Sequence, residues 1–207
     1  TAGGTREPLD PIRFIGNRSS GKQGYAIARA ASRRGAEEPL VLANSELADL
    51  AGVRCIRVTT ADEMFDHVSQ DFDQCDLLVM SAAVADAKPL QISETKIKKG
   101  SLTSIELASN PDIVATVASR KKSQIVIAFA AETSLDVEEG RRKLITKSAD
   151  ILFLNDVAGN EIFGSDQNQG VILIAGKSGL VQEINVDRTD KDTLADLLLD
   201  QALNRLG

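Results

Sequence analysis

Three short apolar runs, separated by segments with helical patterns, limit most strongly what this chain can fold into. Residues 77–80, 125–130 and 151–154 are almost continuously aliphatic or small. Such runs are typical of parallel strands covered on both faces, whereas a strand with one solvated face alternates apolar and polar side chains. We therefore predict a mainly parallel sheet at the centre of the fold.

Helix signals lie between and around these runs. Residues 21–34 carry small and apolar side chains at helical spacing and end in two arginines before Gly35. Further helix starts are predicted at the capping box Thr60–Glu63, at Asn110 followed by Pro111 in the first helical position, and at Asp136 before residues 137–148. The alternation of strands and helices predicts a doubly wound, Rossmann-like α/β domain.

The pattern changes near the end of the chain. Residues 171–174 and 180–186 flank residues 176–179 in the manner of a hairpin, and residues 190–206 form an amphipathic closing helix. We therefore predict one α/β domain, residues 1–207, with an additional C-terminal β-hairpin. Residues 87–104 and 156–170 are predicted to be long loops, and long loops in α/β domains usually carry function.

Composition excludes several classes of protein. The net charge of −6 argues against a general nucleic-acid surface, and the longest apolar stretch, residues 125–131, is far too short to span a membrane. Cys55 and Cys75 form no C-x-x-C pair, so neither a disulfide framework nor a zinc site is predicted. We expect a cytoplasmic protein with no nucleic-acid or membrane partner.

The chain starts at Thr1, directly on a glycine-rich loop with no preceding strand. This start predicts a fragment of a longer polypeptide that lacks an N-terminal partner domain. The opening residues 1–24 place glycines, hydroxyls and cations immediately before a helix, which favours anion binding. Gly16 to Lys22 fit the G-x-x-x-x-G-K spacing of a P-loop, but Gln23 stands where a magnesium-binding Ser or Thr belongs. A P-loop phosphotransferase and a simple helix-capping turn both remain open.

Several longer blocks carry a resemblance to a known family. They are TAGGTREPLDPIRFIGNRSSGKQG, SAAVADAKP followed by KIKKG, NPDIV, FAAET, LNDV and FGSDQNQ. Across essentially its whole length the chain resembles bacterial phosphopantothenate–cysteine ligase, also called phosphopantothenoylcysteine synthetase, the C-terminal domain of a bifunctional coenzyme A biosynthesis protein. Ala87 and Lys88 depart from it, because an aromatic residue and an Arg are common there.

The resemblance implies an activity and its partners. The family joins 4'-phosphopantothenate to L-cysteine with CTP, accompanied by Mg²⁺. In bacteria the ligase domain usually follows a flavin-dependent decarboxylase, so FMN is expected only on the missing N-terminal domain. A homodimer is also implied.

The resemblance also implies site residues. Asn17 and Lys96 match the catalytic pair, while Arg13, Asn17 and Ala82 match substrate-binding positions, with Arg13 near the dimer interface. The nucleotide-binding positions are Met80, Asp86, Lys96, Pro111, Asp112, Ile113, Val114, Phe129, Lys143 and Lys147. The residues that hold the metal are unknown.

The residue pattern independently supports part of this assignment. The strands that end near Met80, Phe129 and Asn155 place those residues at one carboxyl edge, where open α/β sheets bind ligands. Lys143 and Lys147 share a helix face and could hold a triphosphate. Structural alternatives stay open: Lys143 paired with Glu139 on a solvated face, Lys96 as plain solubility charge, Asp86 as a strand end, and Asn17 as a turn residue with positive φ.

The implied chemistry is an activation followed by an acyl transfer. The substrate carboxylate attacks the α-phosphorus of CTP, pyrophosphate leaves, and an acyl-cytidylate forms while Lys96 counters the charge on the triphosphate. The cysteine amino group then displaces CMP, and Asn17 is the candidate hydrogen-bond donor to the developing oxyanion. A P-loop-like phosphotransferase and a non-catalytic dimerisation module are the alternatives.

Overall fold

The computed structural model describes residues 1–158, 164–176 and 179–206. The strands are β1 (Ala2–Gly3), β2 (Arg6–Asp10), β3 (Arg13–Gly16), β4 (Pro39–Ala43), β5 (Arg54–Val58), β6 (Leu77–Met80), β7 (Ala87–Pro89), β8 (Leu107–Ser109), β9 (Ile125–Glu132), β10 (Ile151–Asp156), β11 (Gln167–Ala175) and β12 (Val181–Asp190). The α-helices are α1 (Lys22–Arg33), α2 (Ala61–Asp71), α3 (Ile113–Ala118), α4 (Val137–Thr146) and α5 (Lys191–Leu206), and a 3₁₀ turn covers Phe72–Gln74.

The central sheet has the order of a doubly wound fold. Strands β5, β4 and β1 are parallel neighbours, and so are β6, β9 and β10. A parallel bridge between Gly4 and Ala83 joins the two groups, and the Ala83 N–H donates to the Gly3 carbonyl over 2.8 Å. Strand β11 then runs antiparallel to β10, and β12 returns antiparallel to β11. The predicted parallel sheet and C-terminal hairpin are confirmed, and this order is that of Rossmann-like domains.

The start of the chain is the main correction to the sequence-based fold. Ala2 and Gly3 form β1, which lies between β4 and β6, so the glycine-rich loop does follow a strand. Two residues show no periodic pattern, and β1 was therefore invisible in the sequence. Gly3 has φ +83°, and a Cβ there would lie 1.9 Å from the Ala43 carbonyl oxygen, so glycine is required for this close approach.

Helices cover both faces of the sheet. On one face Ile27 and Ala30 of α1 and Leu198 of α5 share a core with alternate residues of the strands, such as Phe153. On the other face α2, α3 and α4 contribute Met64, Val117 and Leu144. Burial on both faces explains why the central runs lack polar residues. Within the described residues, the structure shows no helix long and apolar enough to cross a membrane.

Two predicted helix starts are confirmed and one is wrong. The capping box at Thr60 and Glu63 is formed, and the Asp136 side chain caps α4. Helix α3, however, begins at Ile113 with Asp112 as its N-cap. Asn110 does not cap it: its Oδ1 accepts no hydrogen bond from the described residues, and its Nδ2 donates to the Ala85 carbonyl over 2.9 Å.

The stretch predicted as a loop over residues 87–104 is partly ordered into strands. Residues 87–89 form β7, which pairs with β8, while β2 and β3 form a second small antiparallel sheet. Ser93 N–H donates to the Leu9 carbonyl over 3.0 Å and connects the two hairpins. The second predicted loop covers residues 156–170. Residues 159–163 of this loop lie outside the described residues, and residues 167–170 belong to β11.

Candidate nucleotide-binding site

A cavity of about 540 Å³ lies at the carboxyl edge of the sheet. Met80, Phe129 and Asn155 all line it, as the strand positions predicted. The other predicted site residues that line it are Asn17, Ala82, Asp86, Pro111, Asp112, Ile113, Val114, Lys143 and Lys147. Residues from distant parts of the chain therefore meet in one place, as ligand sites of open α/β sheets require.

Arg13 and Lys96 lie outside this cavity in the described chain. Lys96 is exposed in the segment between β7 and β8. Its neighbour Ile97 donates its N–H to Asp10 Oδ2 over 3.2 Å, and Arg13 Nη2 donates to the Ile97 carbonyl over 3.3 Å. Arg13 and Lys96 thus belong to one region, built on the small hairpins, rather than to the cavity wall.

Asn17 lies in the loop between β3 and α1. Its Nδ2 donates to the Val84 carbonyl over 3.1 Å, and a Cβ on Gly4 would lie 2.7 Å from the Asn17 carbonyl oxygen. The Asn17 backbone is thus packed closely against Gly4, the residue after β1, while the exposed side chain lines the cavity. Asn17 does not have the positive φ seen at Asn44 and Ser148, so its interpretation as a left-handed turn residue is wrong.

The wall formed by α3 and α4 holds two lysines that are both paired. Lys147 Nζ lies 2.7 Å from Asp112 Oδ2, and Lys143 contacts Glu132, with Glu139 at 4.0 Å. Burial on its own would raise the pKa of Asp112. The hydrogen bonds from Lys147 and from the Ala115 N–H overcome this effect and hold the pKa below its ordinary value. Lys143 thus has two acidic neighbours, and its pair with Glu139, which the sequence predicted, is longer than its contact with Glu132.

Asp86 and Asn110 form an oxygen-rich corner of the same wall. The Asn110 N–H donates to the Asp86 carbonyl over 2.8 Å. Asn110 Oδ1 is buried and has no hydrogen-bond partner among the described residues, and the Asp86 side chain is exposed at the cavity. Mg²⁺ is commonly held by one or two protein oxygens together with substrate phosphates, so this corner fits a magnesium–nucleotide complex. Among the residues that the structure describes, no three His, Cys, Asp or Glu side chains form a metal cluster of their own.

The opposite wall consists of the starts of α1 and α5. Lys22, the first residue of α1, lies 2.6 Å from Asp166 Oδ1 and 2.9 Å from the Gly164 carbonyl oxygen. Lys191, the first residue of α5, donates to the carbonyls of Ser165 and, over 3.2 Å, of Gln167. Sequence reasoning pointed to Lys22 only as the lysine of the P-loop alternative, and it did not point to Lys191. The predicted hairpin could have revealed Lys191, because two antiparallel strands after β10 return the chain to the carboxyl edge.

The P-loop interpretation does not fit this wall. In a P-loop the strand before the glycine-rich turn belongs to the central parallel sheet. Here that strand is β3, which pairs antiparallel with β2 in a separate small sheet. Gln23 accepts a hydrogen bond from Asn168 over 2.7 Å and donates to the Lys191 carbonyl over 3.2 Å.

The similarity of the whole chain to known proteins agrees with this geometry. Residues 1–206 match the family described as the DNA/pantothenate metabolism flavoprotein C-terminal domain. The chain belongs to this family. It is 46% identical over 186 residues to the coenzyme A biosynthesis bifunctional protein CoaBC of Mycobacterium tuberculosis, an alignment that covers 84% of this chain and 44% of that protein.

Solved structures share the fold. The crystal structure of the C-terminal domain of CoaBC matches with a TM-score of 0.77 and 34% identity, over 97% of this chain and 90% of that one. A Cab2 mutant in complex with phosphopantothenate-cysteine has the same TM-score at 13% identity, over 99% and 85% of the two chains, which shows a common fold. The chain spans about half the length of the curated relatives it matches.

Proposed function

We propose that this domain is a CTP-dependent phosphopantothenate–cysteine ligase of coenzyme A biosynthesis. The observation that carries the proposal is the cavity, where most of the substrate and nucleotide positions implied by the resemblance, such as Asn17, Asp86 and Lys147, meet at the carboxyl edge of the sheet. Family membership and the relationship to the CoaBC proteins support it. The fused flavin-dependent decarboxylase with its FMN, and a cytoplasmic location, stay predictions.

The cavity suggests how CTP lies. Met80, the last residue of β6, and Phe129, within the neighbouring strand β9, offer main-chain groups and an aromatic surface for the cytosine. The Phe129 ring is held edge-on against Phe153, with 5.6 Å between the ring centroids. Lys143 and Lys147 stand beside the nucleotide, and the start of α1 faces it from the other wall. N–H groups at a helix start favour phosphate oxygens. Gly21, the N-cap of α1, has no side chain that would compete for them, although the Lys22 N–H donates to Ser20 Oγ over 3.5 Å.

We infer two chemical steps in this cavity. A carboxylate oxygen of 4'-phosphopantothenate forms a bond to the α-phosphorus of CTP as the bond to the pyrophosphate leaving group breaks. The cysteine amino group then attacks the acyl carbon, loses its proton, and CMP leaves. Asn17, on the rim between the two walls, has one amide hydrogen in its bond to Val84 and a second that can donate to the oxyanion of the second step.

Magnesium would be held at the corner formed by Asp86 and Asn110, together with phosphate oxygens of the nucleotide. When bound, it would neutralise charge on the triphosphate. The residues of this wall bind and orient: Asp86 and Asn110 present oxygens, and Asp112 holds Lys147 in place.

The region that carries Arg13 and Lys96 supports a homodimer. Five large apolar side chains on the two small hairpins and the segment between them are more than half exposed: Ile12, Phe14, Leu90, Ile92 and Leu107. Exposed apolar residues concentrated on one region are typical of an interaction surface. We infer that a second copy of the chain covers this region, which would also change the surroundings of Lys96.

The test is product analysis. The domain is incubated with CTP, Mg²⁺, 4'-phosphopantothenate and L-cysteine, and mass spectrometry should detect phosphopantothenoylcysteine, CMP and pyrophosphate in equal amounts. Release of CDP and orthophosphate would instead indicate a phosphotransferase. A failure of CTP with Mg²⁺ to raise the melting temperature would favour a non-catalytic dimerisation module.

A further inference from the structure

Two lysine ammonium groups at the α1 and α5 wall have no role in the activity proposed above. Lys22 and Lys191 both line the cavity, and both contact the segment from Gly164 to Gln167. The carboxylate of Asp166 lies against Lys22, while the Asp166 carbonyl accepts the Lys191 N–H over 3.1 Å. One aspartate is therefore placed between the starts of two helices.

The two walls of the cavity differ in their balance of charge. On the α3 and α4 wall Lys143 and Lys147 each have a carboxylate of their own, and Asp86 adds a further negative charge. On the α1 and α5 wall Lys22 and Lys191 share Asp166, and Arg18 also lines the cavity on this side. The excess of positive charge is thus on the α1 and α5 wall, where it stabilises the most anionic part of a ligand once that ligand lies in the cavity.

The contact that neutralises Lys22 is easily replaced. The Asp166 side chain is 84% exposed, and ion pairs at such exposure contribute little to stability. Burial lowers the pKa of Lys191; Asp166 raises it, and the positive charge of Lys22 lowers it again. Both ammonium groups contact the same segment, residues 164–167, and an anion with several oxygens would satisfy both.

We propose that Lys22 and Lys191 form the subsite for the terminal phosphates of the nucleotide, and that Asp166 occupies this subsite until a triphosphate displaces it. The inference rests on the proposed function for the identity of the nucleotide. Lys22 and Lys191 then hold the pyrophosphate portion, which leaves in the first step, while Lys143 and Lys147 contact the part that remains as CMP.

Binding measurements separate this subsite from the rest of the cavity. Calorimetric titrations with magnesium CTP, CMP and magnesium tripolyphosphate are compared for the parent domain, Lys22→Met and Asp166→Asn. Loss of a charge-assisted contact should weaken CTP and tripolyphosphate about tenfold in Lys22→Met and leave CMP within about twofold. Removal of the competing carboxylate in Asp166→Asn should tighten CTP and tripolyphosphate about threefold or more.

Matched controls and a conservative variant keep the test decisive. Lys122→Met removes an exposed lysine outside the cavity, and Asp49→Asn removes an exposed aspartate whose pair with Arg57 has the same 2.6 Å distance as Asp166 with Lys22. Both should bind like the parent. Lys22→Arg should restore most of the CTP affinity, which separates loss of the charge from misfolding of α1.

Three outcomes would contradict the subsite. Lys22→Met could lower the affinity for CMP as much as the affinity for CTP, or it could change the affinity for CTP no more than Lys122→Met does. Asp166→Asn could bind CTP and tripolyphosphate with the same affinity as Asp49→Asn. The proposed activity fails separately. If the parent domain makes no phosphopantothenoylcysteine but binds tripolyphosphate through Lys22, the ligase proposal is wrong and the subsite stands. If ligation proceeds and Lys22→Met keeps the parent KM for CTP, the subsite is wrong and the ligase proposal stands.

Discussion

Asn17 Nδ2 donates to the Val84 carbonyl over 3.1 Å, and this bond links the loop before α1 to the segment that follows β6. The contact fixes the amide at the rim of the cavity, and it uses one of the two amide hydrogens. In the proposed second step the remaining hydrogen is the one that would donate to the oxyanion, and the bond to Val84 would keep it oriented.

Asn17→Asp should therefore stall the second step. A carboxylate repels the developing oxyanion, and loss of one such donor costs roughly 10²- to 10³-fold in rate. With CTP, Mg²⁺ and 4'-phosphopantothenate, the variant should still release about one equivalent of pyrophosphate per site and hold an acyl-cytidylate that cysteine discharges slowly. Rapid quench with mass spectrometry measures the intermediate. Asn204→Asp adds the same charge at an exposed position near the end of α5, outside the cavity, and should behave like the parent. Turnover of Asn17→Asp at the parent rate would show that Asn17 does not have this role.

Lys96→Gln should lose acyl-cytidylate formation, because the proposed role of Lys96 is to counter the charge of the triphosphate during the first step. Pyrophosphate release is the measurement. Lys98→Gln removes another exposed lysine from the same segment and should keep the parent rate. The alternative is that Lys96, which lies outside the cavity of its own chain, is an exposed lysine that only adds solubility. Normal pyrophosphate release by Lys96→Gln would favour this alternative.

Lys143→Ala and Lys147→Ala should mainly raise the KM for CTP, by about tenfold, with a smaller effect on kcat. A phosphate contact that is equal in the ground and transition states affects binding more than the chemical step. Steady-state kinetics at varied CTP measures both constants. Arg142→Ala, on the same helix and paired with Glu139, lies outside the cavity and is the control. Unchanged CTP affinity in both lysine variants would favour the solvated-face interpretation.

The pair between Lys147 and Asp112 should appear in the pH dependence of stability. The folded-state pKa of Asp112 is lowered, so its contribution to stability is present above the unfolded pKa of about 4 and is lost as the pH falls through the folded value. In Lys147→Met, burial is no longer offset to the same degree, and the Asp112 pKa should rise. Carbon NMR titration of the carboxyl group and urea unfolding at pH 6 and pH 3 test this. A stability difference between parent and variant that is as large at pH 3 as at pH 6 would contradict it.

Ile92→Glu should weaken the proposed homodimer, because it places a charge among the exposed apolar side chains of the small hairpins. Sedimentation velocity at several protein concentrations should show a dimeric parent and a monomeric variant. Leu203→Glu introduces the same change at a similarly exposed position on α5 and should leave the parent assembly intact. A parent that is monomeric at all concentrations would refute the prediction.

Much of the fold could be predicted from the sequence, because strands that are buried on both faces have continuous apolar runs, as at residues 125–130 and 151–154. The carboxyl-edge positions of Met80 and Phe129 followed from the same reasoning. The resemblance supplied the remaining site residues, and the cavity gathers most of them.

What the sequence did not predict depends on contacts between distant residues. Strand β1 is defined by its neighbours Leu42 and Ala43, and two residues cannot show a period of their own. Asn110 has the composition of a helix cap but forms a tertiary hydrogen bond to Ala85 instead. Lys22 and Asp166 are 144 positions apart, so their contact exists only once the sheet is assembled.

The pairing of cavity lysines with carboxylates also bears on how fast a nucleotide can bind. An ion pair such as Lys22 with Asp166, or Lys147 with Asp112, has almost no net charge. At distances beyond the Debye length of about 8 Å, such pairs therefore attract an approaching polyanion only weakly. The chain as a whole is negative and adds no attraction. The association rate should then resemble that of unsteered encounters and vary little with ionic strength, because the positive charges become available only after the nucleotide has arrived.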